Sequence, residues 1–183
     1  MSVAPPSICD FGWKAVDFEL PGIDGQRHTL ESVRGANGTV VMFICNHCPY
    51  VKSIGTRLAE DIRALQAKGI GAVAIMSNDT DGYPEDSFDN MKIYAGKYGF
   101  SFPYVIDKTQ EIGRAYDAKC TPDFFGFNAD LELQYRGRLD DSGSRPPKPD
   151  SRRELVEAME QIARTGKGPT DQIASIGCSI KWR

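Results

Sequence analysis

The stretch "VVMFICNHCPYV", from Val40 to Val51, joins an apolar run to two closely spaced cysteines and a proline. The run is continuous, which is typical of a central β-strand that is buried on both faces. After it, apolar residues recur with the spacing of one helix face at Ile54, Leu58, Ile62 and Leu65. Cys45 and Cys48 are therefore predicted to lie where a strand ends and a helix begins.

The composition of the chain limits the classes of function open to it. Of its 183 residues, 40% are hydrophobic and 26% are charged, which suits one compact domain with an ample core. The net charge of −3 provides no broad cationic surface for nucleic acid or anionic lipid. No apolar run approaches the roughly 20 residues of a membrane helix, and the first residues lack a signal-peptide core. We therefore expect a cytoplasmic protein with no nucleic-acid or membrane partner.

Outside the cysteine region, β-like runs alternate with amphipathic segments, which predicts an α/β fold with a mixed central sheet flanked by helices. Strands are predicted at 15–20, 26–30, 39–44, 70–78 and 102–107, and a hairpin at 123–139. Helices are predicted at 51–65, 83–99 and 108–117, and Ser151 with Glu154 forms a capping box that predicts a last helix. The single domain spans 1–183, with an N-terminal tail at 1–14, a loop at 141–150 and a C-terminal tail at 167–183.

The position of the two thiols at a helix start indicates redox chemistry, because a cysteine attacks only as its thiolate. A helix N-terminus offers unpaired N–H groups and a partial positive charge. We expect Cys45 to be the more exposed thiol, and Cys48, one turn in, to close a small disulfide ring. His47 lies between them and as a cation would further favour the thiolate; the alternative is that His47 is simply an exposed turn residue.

A zinc site is the first alternative for a C-x-x-C pair. A structural zinc site needs four ligands, commonly two such pairs or one pair with spaced histidines. This chain has no second C-x-x-C and two histidines, His28 and His47. We expect neither a metal nor a cofactor, and a metal-binding or redox-sensing module stays as an alternative. The odd number of cysteines, five, argues against a fully paired structural framework.

Three motifs carry a resemblance to a known family. A strand, C-x-x-C, a helix, and a Thr-Pro pair before an aromatic strand together resemble the thioredoxin fold. The opening "DFELPGIDGQRHTLESVRG" resembles the N-terminal β extension of the peroxiredoxin and thiol-disulfide reductase branch. "CNHCPYV", "CTPDFF" and "GCSIKW", in that order, are similar to bacterial peroxiredoxin-like (AhpC/TSA-type) members of the thioredoxin family, and the match runs from Val16 to Trp182.

The resemblance implies a thiol-disulfide oxidoreductase with Cys45 as the attacking and Cys48 as the resolving cysteine. Pro122 matches the cis-proline of the family, and the backbone of Thr121 would be free to pair with an extended substrate segment. The partners implied are protein or small-molecule disulfides and an unidentified thiol reductant.

Two further cysteines are candidate auxiliary thiols. Cys120 directly precedes Thr121, and it is interpreted either as buried core or as an auxiliary thiol or third soft ligand. Cys178 lies in the predicted tail, where thiols are often accessible, and it is a candidate relay.

The sequence also departs from both families. Thioredoxin has a tryptophan where this chain has Ile44, and a buried acid where it has Thr39. The peroxiredoxin motif P-x-x-x-S/T-x-x-C, aligned on Cys48, would need a proline at Val41 and a hydroxyl at Cys45. A peroxiredoxin-like thiol peroxidase with an antioxidant role, led by Cys48, is therefore the alternative function.

Overall fold

The computed structural model describes residues 8–183, so residues 1–7 of the predicted N-terminal tail lie outside the described residues. The strands are β1 (Glu19–Pro21), β2 (Arg27–Thr29), β3 (Gly38–Phe43), β4 (Ile70–Met76), β5 (Tyr104–Ile106), β6 (Cys120–Thr121), β7 (Asp123–Phe127), β8 (Leu133–Gly137) and β9 (Cys178–Ser179). The helices are α1 (Leu30–Val33), α2 (Pro49–Gln66), α3 (Phe88–Tyr98), α4 (Glu111–Ala115) and α5 (Glu154–Thr165), with a 3-10 helix at Pro84–Asp86.

The central sheet has five strands in the order β5-β4-β3-β7-β8. β3, β4 and β5 are parallel, whereas β7 runs antiparallel to both β3 and β8. β1 and β2 form a separate antiparallel hairpin near the N-terminus. The predicted mixed sheet with helices and an N-terminal β extension is confirmed.

Strand β3 shows why its sequence is a continuous apolar run. Val40 and Met42 belong to the hydrophobic cluster that contains the buried residues of α2 and α5. Val41 and Phe43 belong to a second cluster, which contains Tyr116. Successive side chains of a strand point to opposite faces, so both faces of β3 are covered and neither favours polar residues.

The predicted start of the last helix is wrong in its detail. Helix α5 begins at Glu154, its N-cap is Arg153, and no side chain caps it. The Ser151 hydroxyl accepts instead from the backbone N–H of Lys148 and from the Ser142 hydroxyl. Ser151 therefore closes a turn in the preceding loop rather than a capping box.

The C-terminal segment, predicted as a tail, contains a strand. β9 pairs antiparallel with β6, with Thr121 opposite Cys178 and Cys120 opposite Ser179. Beyond β9, the Lys181 N–H donates to Asn78 Oδ1 at 2.9 Å, and the Asp79 N–H donates to the Lys181 carbonyl at 2.8 Å. This segment is thus held on both sides of Cys178.

Across residues 8–183, none of the helices combines the length and apolar character that crossing a bilayer requires.

Candidate active site

The two thiols of the C-x-x-C motif lie where the sequence predicts them. β3 ends at Phe43, and Cys48 is the N-cap residue of α2, with Pro49 in the first turn. A proline at this position loses no intrahelical hydrogen bond, since the first N–H groups of a helix have no partner within it. Cys45 and Cys48 therefore lie at the N-terminus of an 18-residue helix.

The expected exposure of Cys45 is wrong. Its relative exposure is 1%, and that of Cys48 is 0%. Thr121 contacts both thiols: its hydroxyl lies 3.3 Å from Cys45 Sγ, and its carbonyl oxygen lies 3.2 Å from Cys48 Sγ. Cys178 Sγ lies 3.1 Å from Cys48 Sγ. The loop around Thr121 and strand β9 thus cover the pair.

The peptide bond between Thr121 and Pro122 is cis, as the resemblance implied. The backbone of Thr121, however, is not free for a substrate, because it pairs with Cys178 of the same chain. That expectation is corrected: the chain's own C-terminal strand occupies the edge at which an extended substrate segment would add.

The pKa values of the two thiols shift in opposite directions. The pKa of Cys48 falls from its ordinary value to about 4 because the Cys45 thiol donates a hydrogen bond to it, and the contact with Cys178 adds to this effect. The pKa of Cys45 is raised well above its ordinary value by that same bond to Cys48, then by burial and by the negative charge of Asp86.

His47 is not an exposed turn residue. Its side chain is 16% exposed, and its Nδ1 lies 2.6 Å from Asp86 Oδ2. Its ring stacks on Tyr83, with centroids 5.5 Å apart. The orientation of the imidazole beside the thiols is therefore fixed from two sides.

Asp86 is the functional candidate that sequence reasoning missed. Its carboxylate is fully buried, and it accepts hydrogen bonds from the Asn46 N–H at 2.7 Å and from Asn78 Nδ2 at 2.9 Å, in addition to its contact with His47. A signal did exist: the segment after β4 begins at the same sheet edge as the end of β3, because the two strands are parallel. At Thr39, where thioredoxin has a buried acid, the hydroxyl accepts from the Gly35 N–H; the buried acid near the thiols here is Asp86.

Cys45, His47 and Asp86 also form the one group of three candidate metal donors found within residues 8–183, with ligand atoms all within 4.8 Å of one another. Thiolate, imidazole and carboxylate are all zinc ligands, but a closed structural site uses four. The oxygens of Asp86 already accept several hydrogen bonds, so the geometry favours a network of hydrogen bonds and charged groups rather than a metal centre.

Cys120 lies apart from this network. It is 1% exposed, and its thiol donates to the Pro122 carbonyl at 3.3 Å. Burial raises its pKa far above its ordinary value. These contacts favour the interpretation of Cys120 as a core residue.

A cavity of about 230 Å³ opens on the far side of the cis-proline. Its lining includes Tyr50, Ile54, Pro122, Ser175 and Ile176. Because Pro122 follows Thr121 and Tyr50 lies in the first turn of α2, this recess is next to the elements that carry the thiols.

The model described as the AhpC/TSA family matches residues 11–136. A crystal structure of an uncharacterized conserved protein from Geobacillus kaustophilus is 43% identical, covers 100% of this chain and 97% of that one, and has a TM-score of 0.93. A thiol:disulfide interchange protein of the thioredoxin family from Chlorobium tepidum, 19% identical, covers 72% of this chain and 85% of its own, with a TM-score of 0.57. The fold is thioredoxin-like.

A curated relative is the thiol-disulfide oxidoreductase ResA of Halalkalibacterium halodurans, which is 26% identical over 119 residues. The alignment covers 65% of this chain and 63% of that protein, so the chain spans less than two thirds of its length.

Proposed function

The chain belongs to the AhpC/TSA family, and from that premise we propose that it is a thiol-disulfide oxidoreductase whose Cys45 and Cys48 exchange disulfides with protein or small-molecule substrates. One observation carries the proposal: two thiols lie together at the N-terminus of α2, both in contact with Thr121 of the cis-proline loop. A thiolate beside a second thiol is what two-step disulfide exchange requires.

The exchange is proposed to proceed in two steps. Cys45 passes its proton to the Cys48 thiolate, attacks one sulfur of the substrate disulfide and forms a mixed disulfide, while the other substrate sulfur leaves as a thiolate. Cys48 then gives up its proton to that leaving group and attacks Cys45 Sγ, which releases the second substrate thiolate. The substrate gains two electrons, the pair becomes a disulfide, and a thiol reductant restores it.

Thr121 and Pro122 are proposed to receive the substrate. An extended segment would pair with the Thr121 backbone, with its side chains toward the cavity beside Pro122. Because β9 occupies this edge, β9 has to separate from β6 before a protein substrate can bind. A small disulfide must reach Cys45 as well, and Cys45 is 1% exposed while β9 is in place. The cytoplasmic location stays a prediction.

His47 and Asp86 are proposed to tune the charge on the pair. Asp86 fixes the His47 ring, and its own charge opposes a thiolate on Cys45. Both residues are thus proposed to act on Cys45, the thiol that attacks first.

Thiol peroxidase activity is the second candidate, and the lowered pKa of Cys48 favours it. In the peroxiredoxin alignment Cys48 is the residue that attacks peroxide. Position 45, however, holds a thiol in place of the hydroxyl of that motif. The two functions thus differ in which cysteine reacts first.

The deciding experiment uses Cys48→Ser and Cys45→Ser, each in a Cys178→Ser background so that no third thiol competes. Each protein is treated with a disulfide substrate or with hydrogen peroxide, and adducts are mapped by mass spectrometry. We expect Cys48→Ser to accumulate a mixed disulfide at Cys45, since the resolving step is blocked. Rapid sulfenic acid formation on Cys48, with no mixed disulfide at Cys45, would overturn the proposal in favour of the peroxidase. Cys120→Ser is the matched control.

A further inference from the structure

The thiol of Cys178 lies against the redox pair although 130 positions separate it from Cys48. The sequence suggested an accessible tail thiol, yet Cys178 is 2% exposed. We propose that Cys178 is a third redox-active thiol, which takes over the disulfide of the Cys45–Cys48 pair by forming a Cys48–Cys178 bond. The step rests on the proposed function, which supplies the first disulfide.

The geometry brings the two sulfurs close to bonding distance. Cys48 Sγ and Cys178 Sγ are 3.1 Å apart. Since a disulfide bond measures about 2.05 Å, a movement of about 1 Å is sufficient to form one.

The backbone holds Cys178 in this place. Cys178 is in register opposite Thr121 in the β6–β9 pair. The preceding residue, Gly177, passes so close to Thr121 that an added Cβ would lie 2.1 Å from the Thr121 carbonyl oxygen. A side chain at this position would push the strand away, so the absence of one permits the approach of Cys178 to Cys48.

The exchange requires no outside oxidant. The Cys178 thiol loses its proton and attacks Cys48 Sγ in the Cys45–Cys48 disulfide; the Cys48–Cys178 bond forms as the Cys45–Cys48 bond breaks. Cys45 leaves as a thiolate and accepts the proton that Cys178 released. No electrons are gained or lost, and Cys45 becomes a thiol again while the disulfide moves to the C-terminal strand.

Cys120 provides a matched comparison, because it is equally buried and lies in β6 beside Thr121. Its thiol, however, points to the carbonyl oxygen of Pro122 rather than to another sulfur. If Cys178 formed a disulfide only because several thiols lie close together, Cys120 should form one too. If the disulfide depends on contact between the two sulfurs, Cys120 should not form one.

The test oxidises full-length Cys45→Ser, Cys178→Ser and Cys120→Ser with a graded series of glutathione disulfide and maps disulfides by mass spectrometry. We expect Cys45→Ser to form Cys48–Cys178, at a glutathione ratio within about tenfold of that at which Cys178→Ser forms Cys45–Cys48. Wild type and Cys120→Ser should show both bonds. Far-ultraviolet circular dichroism verifies folding, and Cys45→Ala serves as the second variant should Cys45→Ser not fold.

Cys45→Ser and Cys45→Ala molecules that keep both thiols, or carry only glutathione adducts, would overturn the relay. Failure of Cys178→Ser to form Cys45–Cys48 would instead count against the proposed function. The two failures are therefore distinguishable.

Discussion

At the scale of single residues, the charge of Asp86 is the feature with the widest effect. A fully buried carboxylate sits within 4.8 Å of the Cys45 sulfur and 2.6 Å from the His47 ring. The carboxylate raises the pKa of Cys45. It also holds the His47 ring, which as a cation would lower that pKa. Substitutions at the two positions should therefore act in opposite directions.

We predict that Asp86→Asn lowers the pKa of Cys45 and that His47→Ala raises it. The reason is electrostatic: the first change removes a negative charge near the thiol, and the second removes a ring that, as a cation, would favour the thiolate. The measurement is the pH dependence of Cys45 alkylation in a Cys48→Ser background, where the bond to Cys48 no longer acts. In Asp86→Asn, alkylation should start at lower pH.

The control for this pair is Asp89→Asn, whose carboxylate is 90% exposed on α3. It should leave the alkylation profile of Cys45 unchanged. Equal shifts for Asp86→Asn and Asp89→Asn would show that the general charge of this surface, and not the buried contact, sets the pKa.

The residues of the site differ in how well the sequence reveals them. Cys45, Cys48 and Pro122 stand in motifs that are read directly from adjacent positions. Asp86 is 39 positions from His47 and approaches it only because β3 and β4 are parallel and end at one edge of the sheet. Sequence patterns report the spacing of neighbouring residues, whereas the contact between His47 and Asp86 depends on the order of the strands in the sheet.

At the scale of secondary-structure elements, β9 decides the access to the thiols. It pairs with β6 over two residues, and both partners of the redox pair lie beneath this contact. Such a short pairing opens more easily than the central sheet, because few hydrogen bonds are lost. The resting protein is thus closed, and β9 is the element whose opening exposes the pair.

We predict that Gly177→Ala raises the alkylation rate of Cys45 and Cys48 by about tenfold, which corresponds to roughly 1.4 kcal/mol of easier opening. The added Cβ meets the Thr121 carbonyl oxygen and forces β9 away from β6. The same variant should form less Cys48–Cys178 disulfide. Rates follow from timed alkylation and peptide mapping.

Gly96→Ala is the matched control, because an added Cβ on that glycine of α3 meets nothing within 4 Å. Its thiols should react at the wild-type rate, and helix propensity predicts slightly higher stability. An unchanged rate in Gly177→Ala would mean that β9 does not limit access.

The elements also show where sequence patterns reach their limit. Helix α2 has five turns of regular apolar spacing, and it is predicted nearly to its ends (51–65 against Pro49–Gln66). β6 and β9 have two residues each, which is too short for a periodic pattern of apolar residues to be recognised. They are strands only because they pair with each other. Elements defined by pairing alone are therefore absent from the sequence-based prediction.

At the scale of the whole molecule, the order of the sheet brings distant parts of the chain together. The active site takes residues from the end of β3, from the segment after β4, from the turn before β7 and from the C-terminal segment. The α/β class follows from alternating periodicity, and the thioredoxin-like topology follows from motif order. The return of the C-terminus to the cis-proline loop had no signal beyond the "GCSIKW" motif itself.

The sequence separation of Cys48 and Cys178, 130 positions, gives the two disulfides different effects on stability. In the chain-entropy description, a loop of that length restricts the unfolded state by about 5 kcal/mol, against about 2 kcal/mol for the small Cys45–Cys48 ring. We predict that oxidation raises the thermal midpoint of Cys45→Ser more than that of Cys178→Ser, as scanning calorimetry would measure. Equal increases of the two thermal midpoints would contradict the stabilising effect of the longer loop.

The same loop should make resistance to proteolysis depend on whether the Cys48–Cys178 disulfide has formed. Proteases act on transiently opened chains in proportion to their population, and a cross-link across most of the sequence lowers that population. Molecules that carry the Cys48–Cys178 bond should therefore outlast reduced molecules in a protease digest. A cell would then keep the copies that had recently met a disulfide and would remove the idle ones faster, so that turnover itself records use.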